Sequence, residues 1–305
     1  MREVQNVSNA TLFCICSLVW GSTWYAISWQ LGSVDVMWSV AYRFLLGAFL
    51  LWIFCLLRGG FPSYTRQQHF RFFFQGTFLC GLSYWLVYES EHFISSGLSA
   101  LICTGILYSN VVIARFWLGH TVKRSVLIGA ICGSVGVFMV FLPQLTLIDS
   151  DPQELKGLAL ALGAVLTFSL GSVSCEINEK DGLSVVPVTV FAMFYGGVEM
   201  GLVAMLRGIP PTFDFSPGYL FSLVYLVIFG SVVALTSYLA LIQRMGSDRT
   251  AYVDIIYPII ALLISTIMEG YEWTMVSVLG VVVILFGNLL AMSNHFDRPK
   301  AETIY

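Results

Sequence analysis

The residues of this chain that could do chemistry are few, because most of its ionisable side chains fall between long apolar segments. Three of them, Arg43, Glu199 and Asp254, lie inside such segments, and Glu89 lies at the end of one. A charged side chain in an apolar environment costs roughly 2.5–3.5 kcal/mol on membrane-insertion scales, so it needs a partner or a water-filled cavity. We expect coupling or gating roles for Arg43, Glu199 and Asp254, and a binding role for Glu89.

Arg43 and Glu89 each have two interpretations. Arg43 could bind a substrate carboxylate or close a gate by pairing with Glu89 or Glu199, or it could belong to a structural ion pair that fixes helix packing. Glu89 could bind a substrate ammonium group or accept a proton, since desolvation favours the protonated form of a carboxyl group. It could equally be a solvated helix end.

Aromatic residues make up 15% of the chain, more than interfacial belts alone would need. Tyr84 and Tyr88 are four residues apart and share a helix face, as do Trp20 and Trp24. Aromatic faces with a few hydroxyl and amide groups are the usual lining of a small-molecule site, and ring quadrupoles can hold a cation. The alternative for any single ring is a lipid-facing or packed position. The predicted binding residues, together with Glu89, are Trp20, Tyr84, Tyr88, Tyr108, Asn110, Tyr238 and Tyr257.

No motif in the chain indicates catalysis, a metal site or a cofactor. All seven cysteines are scattered through apolar runs without a CxxC or Cys–His spacing, and the four histidines form no HExxH pattern. A phosphate-binding glycine loop and a nucleophile–base–acid combination are also missing. The sequence therefore predicts no enzyme activity, no metal, no cofactor and no nucleic-acid partner.

The composition shows what kind of element must position these residues. The chain has 305 residues, of which 57% are hydrophobic and 11% charged, with a mean hydropathy of +0.82. An ordinary soluble protein has about 25% charged residues, so this chain is expected in a membrane. Apolar runs that do not alternate exclude a β-barrel and predict an all-α membrane protein. Ten transmembrane helices are predicted over residues 11–29, 36–57, 72–89, 93–117, 125–142, 157–176, 185–206, 219–243, 250–268 and 274–293.

The positions of Lys and Arg predict how the helices are oriented. With ten spans, twelve of the 15 Lys and Arg residues fall on one side, Lys156 and Arg207 fall on the other, and Arg43 lies within a span. Basic loops face the cytoplasm, so the N- and C-termini are both predicted to be cytoplasmic.

The two halves of the chain are also related. A single offset of 151 residues aligns Gly119 with Gly270, Gly129 with Gly280, Gly136 with Gly287, and Ala100 with Ala251. A repeat of five helices must enter the membrane from opposite sides in its two copies. We therefore predict two inverted repeats, over 1–143 and 157–294, followed by a cytoplasmic tail over 295–305. The alternative is that small residues recur at packing positions in any membrane bundle.

The repeat makes Asp254 unusual. At the same offset its counterpart is Cys103, so a charge stands in one half only, on the helix that contains Pro258. Asp254 could couple or bind the substrate, or it could be a cytoplasmic-end residue paired with Arg249 or Arg244.

Several segments together resemble the EamA-type members of the drug/metabolite transporter superfamily. They are VWGSTWYAIS, YRFLLGAFLLW, ISSGLSALI, IGAICGSVGVFMV, AYVDIIYPIIALLIS and EGYEWTMVSVLGVVVILFGNLL. The resemblance implies a ten-helix carrier of the inner membrane, often an exporter of amino acids or other metabolites, and it places an Arg–Phe pair at Arg43 in carriers of differing substrates. The chain departs from the family pattern at His120, where a Glu is usual. It also has Leu107 to Ser109 where a Pro is usual, and so a helix break is expected at Pro258 in the second half.

These observations predict a secondary active transporter that exports a small metabolite, an amino acid or related amine, by alternating access. Its partners would be the substrate and the lipid bilayer, with protons as a candidate coupling ion. A multidrug or quaternary-ammonium exporter is the alternative suggested by the aromatic content, although the first span has no acid of the kind on which small four-helix relatives rely. A lipid scramblase or a membrane-embedded enzyme is the alternative of another class.

Overall fold

The computed structural model describes residues 7–119, 124–146, 152–245, 250 and 253–293, and all regular structure within these ranges is helical. The predicted tail over 295–305 lies outside them, as do His120, Arg249 and Ala251. An all-helical chain of long apolar segments agrees with a membrane protein.

Helices occupy the predicted apolar segments. They are α1 (Asn9–Ser28), α2 (Val36–Leu57), α3 (Arg66–Gly76, Thr77–Leu82 and Ser83–Ser90 in succession), α4 (Ser96–Leu118), α5 (Arg124–Thr146), α6 (Pro152–Lys180), α7 (Val185–Leu206), α8 (Pro217–Met245), α9 (Val253–Met268) and α10 (Met275–Ser293). Among the described residues, α1, α2, α4, α6, α7 and α8 are long and apolar enough to cross a membrane. Shorter apolar helices lie within α5, α9 and α10.

The largest difference from the predicted boundaries is the start of α3. It begins at Arg66 instead of residue 72, and a capping box closes this end: the Thr65 side chain accepts from the Gln68 backbone, and Gln68 Oε1 accepts from the Thr65 N–H. The first turns are polar, so a hydropathy window passes over them although local hydrogen bonds make them helical.

The expected break at Pro258 is wrong. Helix α9 continues through Pro258 from Val253 to Met268, whereas α4, the helix that the offset relates to it, contains a 3₁₀ turn at Cys103–Gly105. Proline has no N–H to donate to the carbonyl four residues earlier, which is that of Asp254. Contacts with neighbouring helices support α9 at this point, where the Asp254 carbonyl lacks its usual intrahelical donor.

Two helices contain wide π-helical turns at related positions. These are Thr77–Leu82 in α3 and Leu226–Leu235 in α8, and the 151-residue offset places the first within the second. A π turn shifts carbonyl groups away from their usual partners, and such turns are frequent at functional sites. In α8 the Gly230 carbonyl accepts a hydrogen bond from Trp20 Nε1 at 3.3 Å.

Glycines form the contact between α5 and α10. A Cβ added at Gly136 would lie 2.6 Å from the carbonyl oxygen of Gly280, and one at Gly280 would lie 2.7 Å from that of Gly136. A Cβ at Gly287 would lie 2.8 Å from the carbonyl oxygen of Gly129. Residues that the offset aligns thus meet crosswise, which is the pattern that a two-fold axis produces.

This contact predicts that Gly→Ala at the α5–α10 interface lowers the free energy of unfolding, although helix propensity alone would raise it. Gly→Ala in a helix usually stabilises by about 1 kcal/mol, yet Gly280→Ala should destabilise by about 1–3 kcal/mol because the methyl group meets backbone. Gly163→Ala is the control, since its Cβ would lie 3.4 Å from the Leu86 side chain, an ordinary contact. Thermal unfolding in detergent should show a lower midpoint for Gly280→Ala only; equal midpoints would contradict the close packing.

Candidate functional site

A cavity lies between six helices near the middle of the bundle. The cavity has a volume of about 50 Å³. A buried water molecule needs roughly 10–15 Å³ of cavity volume, so this conformation has room for a few waters, and a larger ligand requires the walls to move. The lining residues are Trp20, Thr23, Trp24, Ile27, Arg43, Ser83, Tyr84, Val87, Cys103, Ile106, Ala164, Phe168, Asp254 and Tyr257.

Arg43 of α2 lines one wall and is held by neutral partners. Its Nε donates to Ser231 Oγ at 2.9 Å, and its Nη1 donates to the Tyr88 hydroxyl at 3.3 Å. The guanidinium carbon lies 4.6 Å from the centre of the Tyr84 ring, a cation–π contact. The Tyr88 hydroxyl in turn donates to Gln30 Oε1 at 2.9 Å, so the turn after α1 and the helices α2, α3 and α8 are joined around one cation.

Arg43 has no ion-pair partner among the described residues. The side chain is only 1% exposed, and no carboxylate oxygen of the described residues lies within 4.0 Å of its nitrogens. Gly230 leaves room for Nη2, since a Cβ there would lie 2.9 Å from this atom. The predicted pairing with Glu89 or Glu199 does not occur in this conformation, and Nη2 donates no hydrogen bond to the described residues.

Asp254 of α9 supplies the opposite charge to the same cavity. It is 1% exposed, and neither carboxylate oxygen accepts a hydrogen bond from the described residues. Tyr238 lies beside the carboxylate, without a well-formed hydrogen bond between the two groups. Arg244, one of the two predicted ion-pair partners, donates instead to the carbonyl oxygen of Val7 at 2.7 Å. Asp254 is therefore a buried acid without an ion-pair partner among the described residues.

Aromatic rings fill the space around Asp254. The Trp20 ring lies 4.8 Å from the Tyr238 ring and contacts Phe168 edge-on at 6.3 Å, while Trp24 stacks on Tyr257 at 5.9 Å. A carboxylate among aromatic faces is suited to a cation that also has apolar surface, because both the charge and the ring quadrupoles attract it.

Helices α4 and α9, which the 151-residue offset relates, line the cavity with different side chains. Cys103 and Ile106 of α4 line it, and so do Asp254 and Tyr257 of α9, which stand 151 residues later. The two helices thus present corresponding positions to one space. The first half contributes a thiol and an aliphatic group, while the second contributes a carboxylate and a phenol.

The predicted site residues fall into three groups. Trp20, Arg43, Tyr84, Asp254 and Tyr257 line the cavity. Tyr88 and Tyr238 are fully buried directly behind it, against Arg43 and Trp20 respectively. The residues placed elsewhere are Tyr108, Asn110, Glu89 and Glu199.

The residues of the third group connect helices away from the cavity or lie at an end. The Tyr108 hydroxyl donates to Asn288 Oδ1 of α10, and Asn110 Oδ1 accepts from Ser172 Oγ of α6 at 3.1 Å. Thr77 Oγ1 donates to Glu199 Oε2 at 2.5 Å, which joins α7 to the π-helical turn of α3. Glu89 is half-buried near the end of α3.

Sequence reasoning missed several lining residues. Trp24 shares a helix face with Trp20, and this spacing could have identified it. Phe168, Thr23 and Ser83 have no distinguishing pattern, because helices that are apolar nearly all round give no stripe that marks the inward face.

Because the buried carboxylate of Asp254 has no ion-pair partner, we expect that its neutralisation increases the stability of the protein at the expense of its function. Asp254→Asn should raise the thermal unfolding midpoint, because it removes an unpaired buried charge and leaves a less costly neutral amide. Asp181→Asn is the control, since Asp181 pairs with Arg71 at the surface, and exposed pairs contribute about 0–1 kcal/mol. A lower midpoint for Asp254→Asn would show that its charge has a stabilising partner.

Known proteins with similar sequences match this chain over most of their length. The EamA-like transporter family matches residues 8–142 and again 155–293. Protein PagO of Salmonella typhimurium is 23% identical over 292 residues, covering 95% of this chain and 94% of its own. The uncharacterized inner membrane transporter YedA of Escherichia coli K12 is 25% identical over 294 residues, covering 94% and 91%.

A crystal structure with 15% sequence identity superposes with a TM-score of 0.69 and covers 95% of this chain and 99% of that one, which shows the fold alone. The two family matches together span nearly the whole chain. The chain therefore belongs to the EamA-like transporter family, and it is a multi-pass transporter of the inner membrane, not an enzyme.

Proposed function

We propose that this transporter is a secondary carrier that exports an amino acid or a related amine. The observation that supports this substrate class is that Arg43 and Asp254 carry opposite charges, have no ion-pair partner among the described residues, and line one aromatic cavity. Buried charges without an ion-pair partner are costly, and a ligand of complementary charge compensates that cost.

The chemistry of the two walls assigns a role to each charge. Asp254 would accept hydrogen bonds from a substrate ammonium group, and the nearby rings of Trp20 and Tyr257 would add cation–π attraction. Arg43 would bind the substrate carboxylate through Nη2 while Ser231 and Tyr88 hold its other nitrogens in place. An apolar or aromatic substrate side chain would then contact the remaining wall.

Transport would proceed by alternating access in a bundle of ten spans with both termini in the cytoplasm. Two inverted repeats, over 1–143 and 157–294, would provide related inward-open and outward-open states. The small volume of the cavity supports reading this conformation as closed around the site. A substrate or ion gradient would supply the energy, with about 2.3 kcal/mol per charge from each 100 mV of membrane potential.

A quaternary-ammonium or multidrug exporter is the second candidate. The rings of Trp20, Trp24 and Tyr257 near Asp254 favour it, because they would suit an organic cation. Arg43 opposes it, since its guanidinium would repel a cation without a carboxylate.

Matched ligands separate these two candidates. After a screen of amino acids by thermal shift, the best amino acid is compared with its decarboxylated amine and its deaminated acid. A zwitterion site should bind the amino acid at least tenfold more tightly than either analogue, a difference of about 1.4 kcal/mol. Tighter binding of the amine, or of tetraalkylammonium ions, would favour the exporter of organic cations. No binding of any amine would contradict the proposed substrate class.

Two variants test which charged residue binds which end of the substrate. Asp254→Asn should weaken the amino acid and the amine at least tenfold and leave the deaminated acid unchanged, whereas Arg43→Gln should weaken the amino acid and the acid but not the amine. Tyr108→Phe is the control, because its hydroxyl bonds Asn288 outside the cavity. Binding is measured by thermal shift and export with preloaded proteoliposomes; equal losses for all three ligands in both variants would contradict the assignment.

A further inference from the structure

A second unpartnered acid lies outside the cavity, in the turn that follows α3. Both carboxylate oxygens of Glu91 are shielded from solvent, and neither accepts a hydrogen bond from the described residues. The Glu91 backbone N–H donates to the carbonyl of Val87 at 3.1 Å, and Val87 lines the cavity. Glu91 is therefore one helical turn from the cavity wall, towards the end of the bundle.

That end of the bundle, here called the rim, is where α3 ends, α4 begins and α9 ends. Ser96 Oγ of α4 donates to Glu269 Oε2 at 2.8 Å, and Ser265 Oγ donates to the same oxygen. The helices also meet closely, since a Cβ at Gly97 would lie 2.7 Å from the Cβ of Ser265. The exposed Glu269 thus fastens α4 to α9 and provides a negative charge beside Glu91.

The surroundings of Glu91 favour its uncharged form. Burial and the Glu269 carboxylate raise the pKa of Glu91 well above its usual range, and Arg43 of α2 opposes them only in part. Tyr88 on α3 and Cys103 on α4 are the other titratable groups near its charge. Glu89 and His92 are its chain neighbours, and Lys156 of α6 lies 4.4 Å from the Phe93 ring. Among the described residues no cation lies within 4.0 Å of Glu91.

We infer that Glu91 is a proton-binding site of the rim, separate from the substrate cavity, and that its proton keeps the rim closed. The Glu91 carboxylate takes one proton from water and becomes a neutral carboxyl group, while Glu269 remains a carboxylate held by Ser96 and Ser265. Loss of that proton places two negative charges together under the rim, and their repulsion separates the end of α3 from the end of α9.

Proton binding at Glu91 does not depend on the proposed substrate. Its consequence for transport rests on the proposed function, because it requires that opening of the rim admits or releases the transported molecule. A stability measurement without substrate therefore tests the site, and a flux measurement tests its consequence.

The stability test follows thermal unfolding of the purified full-length protein between pH 4 and pH 9. A glutamate whose folded-state pKa is raised binds more protons in the folded than in the unfolded state, from about pH 4.3 up to the folded pKa. Stability should therefore fall as pH rises through this window and level off above it. Glu91→Gln should lose this decline, because the amide stays neutral at every pH.

Glu89→Gln is the matched control, since this half-buried glutamate precedes Glu91 by two residues in the same segment. It should keep the wild-type pH profile. Glu269→Gln should move the decline to lower pH by removing the nearby charge, and it keeps the test informative if Glu91→Gln does not fold. An unchanged profile in Glu91→Gln or in Glu269→Gln would overturn the inference. Stabilisation of the wild type by NaCl but not by choline chloride above pH 7, lost in Glu91→Gln, would also overturn it in favour of sodium.

The flux test uses proteoliposomes with an imposed pH gradient and the best amino acid from the screen. Transport down the substrate gradient should be slowed in Glu91→Gln, because the neutral amide keeps the rim closed, and its stimulation by the pH gradient should be lost. Glu89→Gln should keep both the wild-type rate and the stimulation. Retained stimulation in Glu91→Gln would overturn the role of the site in coupling. If no variant transports an amine yet the pH profile of stability still depends on Glu91, the substrate proposal fails and the proton site stands.

Discussion

The central interaction of the structure is the binding of a buried guanidinium group by neutral partners. Arg43 is held by the hydroxyls of Ser231 and Tyr88 and by the ring of Tyr84, and Tyr88 is fixed by Gln30. A carboxylate partner would neutralise the cation and complete a structural ion pair. Hydroxyls and rings fix its position without cancelling its charge, so the charge acts on the cavity.

The symmetric and asymmetric parts of the molecule have different physical tasks. The glycine contacts between α5 and α10 are reciprocal, as packing between two related helices allows. The cavity is not symmetric, since Asp254 and Tyr257 face Cys103 and Ile106. The same small residues can recur in both halves because close helix packing depends mainly on the size of the side chains. A site for an asymmetric ligand needs different chemical groups on its two sides. The π-helical turns of α3 and α8 lie at positions that the 151-residue offset relates. Of the two, the turn in α8 provides a hydrogen-bond partner for Arg43, which is Ser231.

Sequence reasoning succeeded where the determinants are local and weakened where they are not. Runs of apolar residues predicted the positions of the helices, and the offset of 151 residues selected the glycines that touch. Polar helix starts such as that of α3 were missed because a capping box, not hydropathy, defines them. Pro258 was expected to break α9, but contacts with neighbouring helices keep the segment helical. Glu89 was the predicted binding residue, but it is Glu91, two residues later, whose two carboxylate oxygens are buried without a hydrogen-bond partner among the described residues.

The sequence by itself determined that the chain is an all-helical membrane protein of the EamA-like family, because hydropathy, loop charge and small-residue spacing are properties of single segments. Only the tertiary structure decided which of the scarce charges share a cavity. Arg43 and Asp254 come from α2 and α9, and Glu199 and Tyr108 lie elsewhere although their types suited a site equally well. Helices that are apolar nearly all round do not specify which face turns inward, so the rotation of each helix is set by contacts with residues distant in the chain.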